Sequence, residues 1–149
     1  MSNINIREMT EKDIDQVLEI ERLSFTTPWS RDAFESEIKK NLLSKYILAE
    51  KNEQVVGYAG MWLIVDEIHI TNVAVHPNKR GEGIGDKLVS KISEICRDRD
   101  MRAITLEVRK TNDVAKSLYI KHGFKEVGIR PGYYSDTNED AIIMWKELG

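Results

Sequence analysis

The hydrophobic pattern along the chain changes period several times, and each change marks an element. "INIREM" alternates apolar and polar residues, which predicts a strand. Thr10 with Asp13 three positions later resembles a capping box, and Ile14, Val17 and Leu18 then mark a helical face. After "FTTPW", Ser30 is placed to cap a second helix, in which Phe34 and Ile38 recur four residues apart. "YILAE", the turn "KNEQ" and "VVGYAGMWLIV" predict a hairpin, and "IHITNVAV" supplies a further strand. The first half is therefore expected to be mostly antiparallel sheet.

From Ile84 the pattern becomes helical, with Leu88, Ile92, Ile95 and Cys96 on one face until the charged "RDRD". A strand, "AITLEV", follows. "TNDVAKSLYIKHG" opens with Asn112 as a helix cap and closes on Gly123, a residue type common just past a helix end. The remainder predicts two strands around a long polar loop containing "RPGYYSDTNED". The class is α/β, a mixed and mostly antiparallel sheet flanked by helices.

Composition narrows the picture. A chain of 149 residues, 41% hydrophobic and 32% charged, without repeat or linker, is expected to form one domain spanning residues 1–149. A single cysteine, Cys96, excludes an intrachain disulfide, and His69, His76 and His122 lack metal-ligand spacing, so no metal is expected. The first residues lack a signal-peptide pattern, and no stretch is apolar for the ~18 residues of a membrane span. A cytoplasmic location without membrane contact is the expectation. At a net charge of −3, nucleic acid is disfavoured as a direct partner.

Three of the nine glycines fall within "RGEGIG". One reading is a pyrophosphate site: glycines expose backbone N–H groups at the end of a strand, and a helix begins with its positive dipole end facing the anion. A dinucleotide fingerprint is a second reading, but counting from Gly81 its last glycine falls on Asp86. The third is a turn that needs glycine only for its own shape.

The surroundings separate these readings. "VAVHPNKRGEGIGDKLV" resembles the acyl-coenzyme A loop of the GNAT acetyltransferases, with Arg80, Gly83 and Gly85 at the pattern's positions. "LEVRKTNDVAKSLYIKHGF" is similar to the strand and helix that follow in that family, so the resemblance covers nearly the whole chain. More narrowly, "TTPWS", "DEIHITNVAV" and "RPGYYSDTNEDAIIM" resemble the RimI-type branch, which acetylates the N-terminal alanine of a small-subunit ribosomal protein. The resemblance implies the GNAT acyl-CoA N-acyltransferase fold, acetyl-CoA as cosubstrate and a protein N-terminus as acceptor. It also implies cofactor contacts from Val73, Ala74 and Val75, from Arg80, Gly81, Glu82 and Gly83, from Ile84, Gly85 and Asp86, and from Asn112. A bulge in the strand before the loop would aim an N–H at the thioester oxygen.

Acetyl transfer to an amine needs an unprotonated nucleophile and a proton for the departing thiolate. Glu107 is the candidate base, because in "AITLEVRK" it points away from the face shared by Ile104, Leu106 and Val108. Tyr119 is the candidate acid: it aligns with Asn112 and Ala115 on one helix face, and a phenol near pKa 10 can protonate a thiolate. Trp29, Tyr133 and Tyr134 in predicted loops could line a peptide groove or cover the core, and Asp66, Glu67, Asp136, Glu139 and Asp140 could favour a basic peptide. A lysine or small-amine acetyltransferase, and a CoA-binding module without turnover, remain the alternatives.

Overall fold

In the computed structural model, residues 3–25 and 28–148 are described; Thr26 and Thr27 of the "TTPWS" segment lie outside them. The strands are β1 (Ile4–Glu8), β2 (Ser44–Lys51), β3 (Gln54–Ile64), β4 (Glu67–Val75), β5 (Ala103–Arg109), β6 (Lys125–Tyr134) and β7 (Glu139–Glu147). The helices are α1 (Ile14–Ser24), α2 (Arg31–Lys40), α3 (Ile84–Asp98) and α4 (Asp113–Lys121). All seven strands join one sheet in the order β1-β2-β3-β4-β5-β7-β6. Every pairing is antiparallel except that of β4 with β5.

The alternation of side chains along each strand feeds two cores. On one face Tyr46, Leu48 and Tyr58 pack with Ile14, Val17, Ile20 and Phe34 of α1 and α2. On the other, Ile47, Ala59, Ile68 and Leu106 pack with the predicted stripe of α3 and with Tyr119 of α4. No helix among the described residues is long and apolar enough to cross a membrane.

Two local expectations change. Thr10 caps a single 3-10 turn, Glu11–Asp13, before α1 begins at Ile14. The long loop expected after Gly123 is instead largely strand: "RPGYY" belongs to β6, and the register shift between Arg130 and Tyr134 absorbs Pro131 and Gly132. Proline is tolerated there because β6 is a sheet edge, and Gly132 takes a φ of +59° while its N–H donates to Asp140 Oδ1 at 2.9 Å. Tyr133 and Tyr134 are thus strand residues.

The feature that opens the sheet is a bulge. Gly60 of β3 faces Asn72, whereas Met61 faces Ile70, so Thr71 is an extra residue on β4. Pairing of β4 with β5 stops there, covering only Glu67–Ile70 against Ala103–Leu106. Beyond it the two strands part. Glycine is required opposite the bulge, since a Cβ on Gly60 would run into the Tyr46 ring and come within 2.8 Å of Asn72 Oδ1.

Asp13 ties β1 to the start of α1. Its carboxylate accepts both Arg7 Nη groups at 2.9 and 2.8 Å and the Thr10 N–H at 2.9 Å, which holds its pKa below the usual range, the Arg7 bonds contributing most. Asp13→Asn is expected to lower stability by about 1 to 3 kcal/mol in urea unfolding at pH 7. A depressed folded pKa stabilises above the unfolded value of about 3.9, and the contribution is lost as pH falls through the folded value. Variant and parent should therefore converge in acid.

Candidate active site

The loop after β4 shows why three glycines are spent there. Gly81 and Gly83 have φ of +85° and +78°, a region that other L-residues rarely adopt, and a Cβ on either would meet open space. Gly85 has a different task. Its position on the first turn of α3 lets that helix approach Leu118 of α4, whose Cδ2 would lie 3.2 Å from an added Cβ.

α3 has no side-chain cap, and Lys87 makes the first bond into its N-cap, to the Gly83 carbonyl at 3.1 Å. The N–H groups of Ile84, Gly85 and Asp86 therefore stand at a helix start where the macrodipole is positive. They front a cavity of about 650 Å³. Val73, Ala74 and Val75 line it from β4, Arg80, Gly81 and Gly83 from the loop, Ile84, Gly85 and Asp86 from α3, and Asn112 from the head of α4.

Glu82, expected among the cofactor contacts, is the exception: its carboxylate accepts from Lys51 Nζ at 2.7 Å, and it does not line the cavity. A charge of the wrong sign is thereby drawn away from an anion cradle. Asp86 is likewise engaged, by His122 Nε2 at 2.8 Å and Lys121 Nζ at 3.1 Å, and these contacts hold its pKa down.

The polar edge of β4 also faces the cleft. His76 N–H donates to the Val56 carbonyl at 2.8 Å, and backbone groups alternate between the two edges of a strand. Val73 and Val75 therefore turn their N–H and C=O groups to the opening, available to an extended amide chain.

A second chamber of about 370 Å³ lies across the split, bounded by Glu21, Phe25 and Trp29, by Thr71 and Asn72 of the bulge, and by Glu107 and Tyr134. Val73, Asn112, Ala115 and Tyr119 line both chambers. Tyr119 stands at their junction. It is 7% exposed, and burial raises its phenol pKa above the ordinary value, so the hydroxyl is neutral. Ser24 borders both chambers, and its buried Oγ is, among the described residues, the one buried side-chain polar atom without a partner.

Glu107 faces the second chamber as the strand alternation predicts, but it has company that the sequence did not disclose. His69 Nε2 lies 2.7 Å from Oε1, and Arg130 Nε donates to Oε2 at 3.2 Å. The His69 bond is the larger cause of a lowered Glu107 pKa, opposed by burial and assisted by Arg130. Glu107 is thus an anion at neutral pH. The opposite shift occurs at Glu21, where burial outweighs bonds from the Tyr58 hydroxyl and from the Trp29 N–H and raises the carboxyl.

The acidic residues considered for peptide attraction are committed elsewhere. Arg102 pairs with Asp66 and Glu67, Arg109 with Asp136 and Glu139, and Asp140 accepts from Gly132. No cluster of three or more His, Cys, Asp or Glu suited to a metal occurs among the described residues.

Comparison with known proteins matches residues 14–124 to the Acetyltransferase (GNAT) family. The chain belongs to the GNAT acetyltransferases. A Bacillus subtilis protein, provisionally named ribosomal protein bS18-alanine N-acetyltransferase, is 44% identical over 94% of this acetyltransferase and 93% of itself. The Escherichia coli strain K12 ribosomal protein bS18-alanine N-acetyltransferase is 32% identical over 97% and 96% of the two chains. The crystal structure of the Escherichia coli ribosomal-protein-S18-alanine N-acetyltransferase superposes with a TM-score of 0.90 at 29% identity, covering 98% of this chain and 94% of that one. The family is one of N-acetyltransferases that use acetyl-CoA, and the sheet flanked by helices is its fold.

The two kinds of glycine in the acetyltransferase loop differ in their tolerance. Gly83→Ala is expected to cost about 1 to 2 kcal/mol, because alanine is strained at positive φ. Gly85→Ala should be nearly neutral, since only the mobile end of Leu118 must move and alanine favours a helix. Paired urea titrations would show that order.

Proposed function

We propose that this enzyme transfers acetyl from acetyl-CoA to the α-amine of a protein N-terminus, the N-terminal alanine of a small-subunit ribosomal protein, in one direct step within a ternary complex. Residues 1–149 act as one domain, in the cytoplasm. The observation that carries the reading is the pair of chambers meeting where β4 and β5 part, with an anion cradle at one end, Glu107 in the other, and Tyr119 between them. The names of the full-length bacterial relatives support the acceptor.

The pyrophosphate of acetyl-CoA fits the N–H groups at the head of α3, and its amide arm fits the free edge of Val73 and Val75. An α-amine with pKa about 7.7 to 8.0 arrives mostly protonated at pH 7. The Glu107 carboxylate, ionised at that pH, receives its proton through water. The amine nitrogen then attacks the thioester carbon, the C–S bond breaks as the Tyr119 hydroxyl protonates the thiolate, and the proton that the nitrogen loses on becoming an amide returns to the tyrosinate through water. No acyl-enzyme is needed.

Mass spectrometry with acetyl-CoA tests the reading on an alanine-starting peptide, the same peptide blocked at its N-terminus but carrying an internal lysine, and a free polyamine. Label on the open α-amine alone is expected. Labelling of only the lysine or polyamine would overturn the acceptor, and binding of acetyl-CoA without any product would overturn turnover. Glu107→Gln and Tyr119→Phe should each lower kcat about 100-fold, at the low end of general acid-base effects. The KM for acetyl-CoA should stay within about threefold, because neither group contributes to ground-state binding in this scheme.

A further inference from the structure

We propose that His69 is a positioning residue for acetyl transfer, whose ring donates Nε2–H to Glu107 and holds that carboxylate on the chamber side of the sheet. The inference rests on the reading of Glu107 as base.

The register explains how the pair forms. β4 and β5 place His69 beside Thr105, so Glu107, two residues further on, is its diagonal neighbour on the same face. Pairing ends at Ile70, which makes His69 the last residue on that face before the strands diverge. The ring is itself held: it packs edge-on against Trp62 at 6.3 Å, and Trp62 Nε1–H donates to Glu37 Oε1 of α2 at 2.7 Å.

Two donors then pull Glu107 in opposite directions. His69 draws Oε1 towards β4 and the split, at 2.7 Å. Arg130 draws Oε2 towards the sheet edge, from a long side chain on β6 that is 54% exposed. Without His69 the carboxylate keeps only the outward partner. A carboxylate has lone pairs beyond those two bonds, so the position that His69 enforces leaves it free to accept from water in the chamber.

The experiment is steady-state kinetics on the full chain with the alanine-starting peptide. His69→Ala and His69→Leu, the second filling space against Trp62 without a donor, are expected to lower kcat at least tenfold. Acetyl-CoA KM should change by less than threefold. His69→Gln places an amide N–H where Nε2 lies and should recover kcat to within threefold of the parent, which a packing role would not allow. In a Glu107→Gln background, His69→Ala should have little further effect.

Parent-like kcat in both donorless variants, or no recovery with glutamine, would overturn the proposal. So would an undiminished His69→Ala effect in the Glu107→Gln background, which leaves the Glu107 reading intact. Parent-like kcat in Glu107→Gln alone would instead remove the base, and the positioning role with it.

Discussion

The site depends on one extra residue in one strand. Thr71 shifts the register of β4 against β3, and that shift ends the pairing with β5 at Ile70. A parallel pair continued to the end of both strands would satisfy the edge of β4 and close the sheet. Here the edge is left unpaired over Val73 and Val75, a cleft opens, and Glu107 stands at its apex. The bulge also resets the alternation of side chains: Ile68 and Ile70 face α3 before it, and Val73 and Val75 do so after it. Gly60 makes the arrangement possible, because any side chain there would collide with Tyr46 and Asn72.

The second chamber holds two carboxyl groups that their surroundings push apart, a pattern that assigns different duties to chemically similar groups. Glu107 meets two cationic or N–H donors and is driven towards the anion. Glu21 is 2% exposed, and burial outweighs its hydrogen bonds. Its oxygens are occupied by the Tyr58 hydroxyl and the Trp29 N–H, so it fastens the segment that walls the chamber. Tyr119 is shifted upwards, mainly by burial and further by Tyr134, which keeps its ring uncharged at the junction.

The chain's periodicity discloses elements far better than it discloses partnerships between them. Helices α3 and α4 were legible because their apolar spacing and their ends, Gly83, Asn112 and Gly123, obey local rules. Glu107 was legible because strand alternation alone sends it away from Ile104 and Leu106. His69 and Arg130 were not, since their contact with Glu107 depends on which strands adjoin and in what register, and those are tertiary facts. The side-chain fate of Glu82 was hidden for the same reason: Lys51 lies on β2, thirty-one residues away in sequence. The "RPGYY" segment misled because glycine and proline signal a turn locally, whereas an edge strand with a bulge accommodates both.

The acids around the glycine loop complete the electrostatic logic. The N–H groups at the head of α3 attract an anion, but Glu82 and Asp86 sit within the same short stretch, and free carboxylates there would repel it. Each is engaged by partners on a different element. Glu82 goes to Lys51 of β2, and Asp86 to Lys121 and His122 at the end of α4. These ion pairs are exposed enough to be individually weak. Their direction matters more than their strength: one ties the loop to β2 and the other ties α3 to α4, so the contacts that clear negative charge from the cradle also fix the spacing of the walls around it.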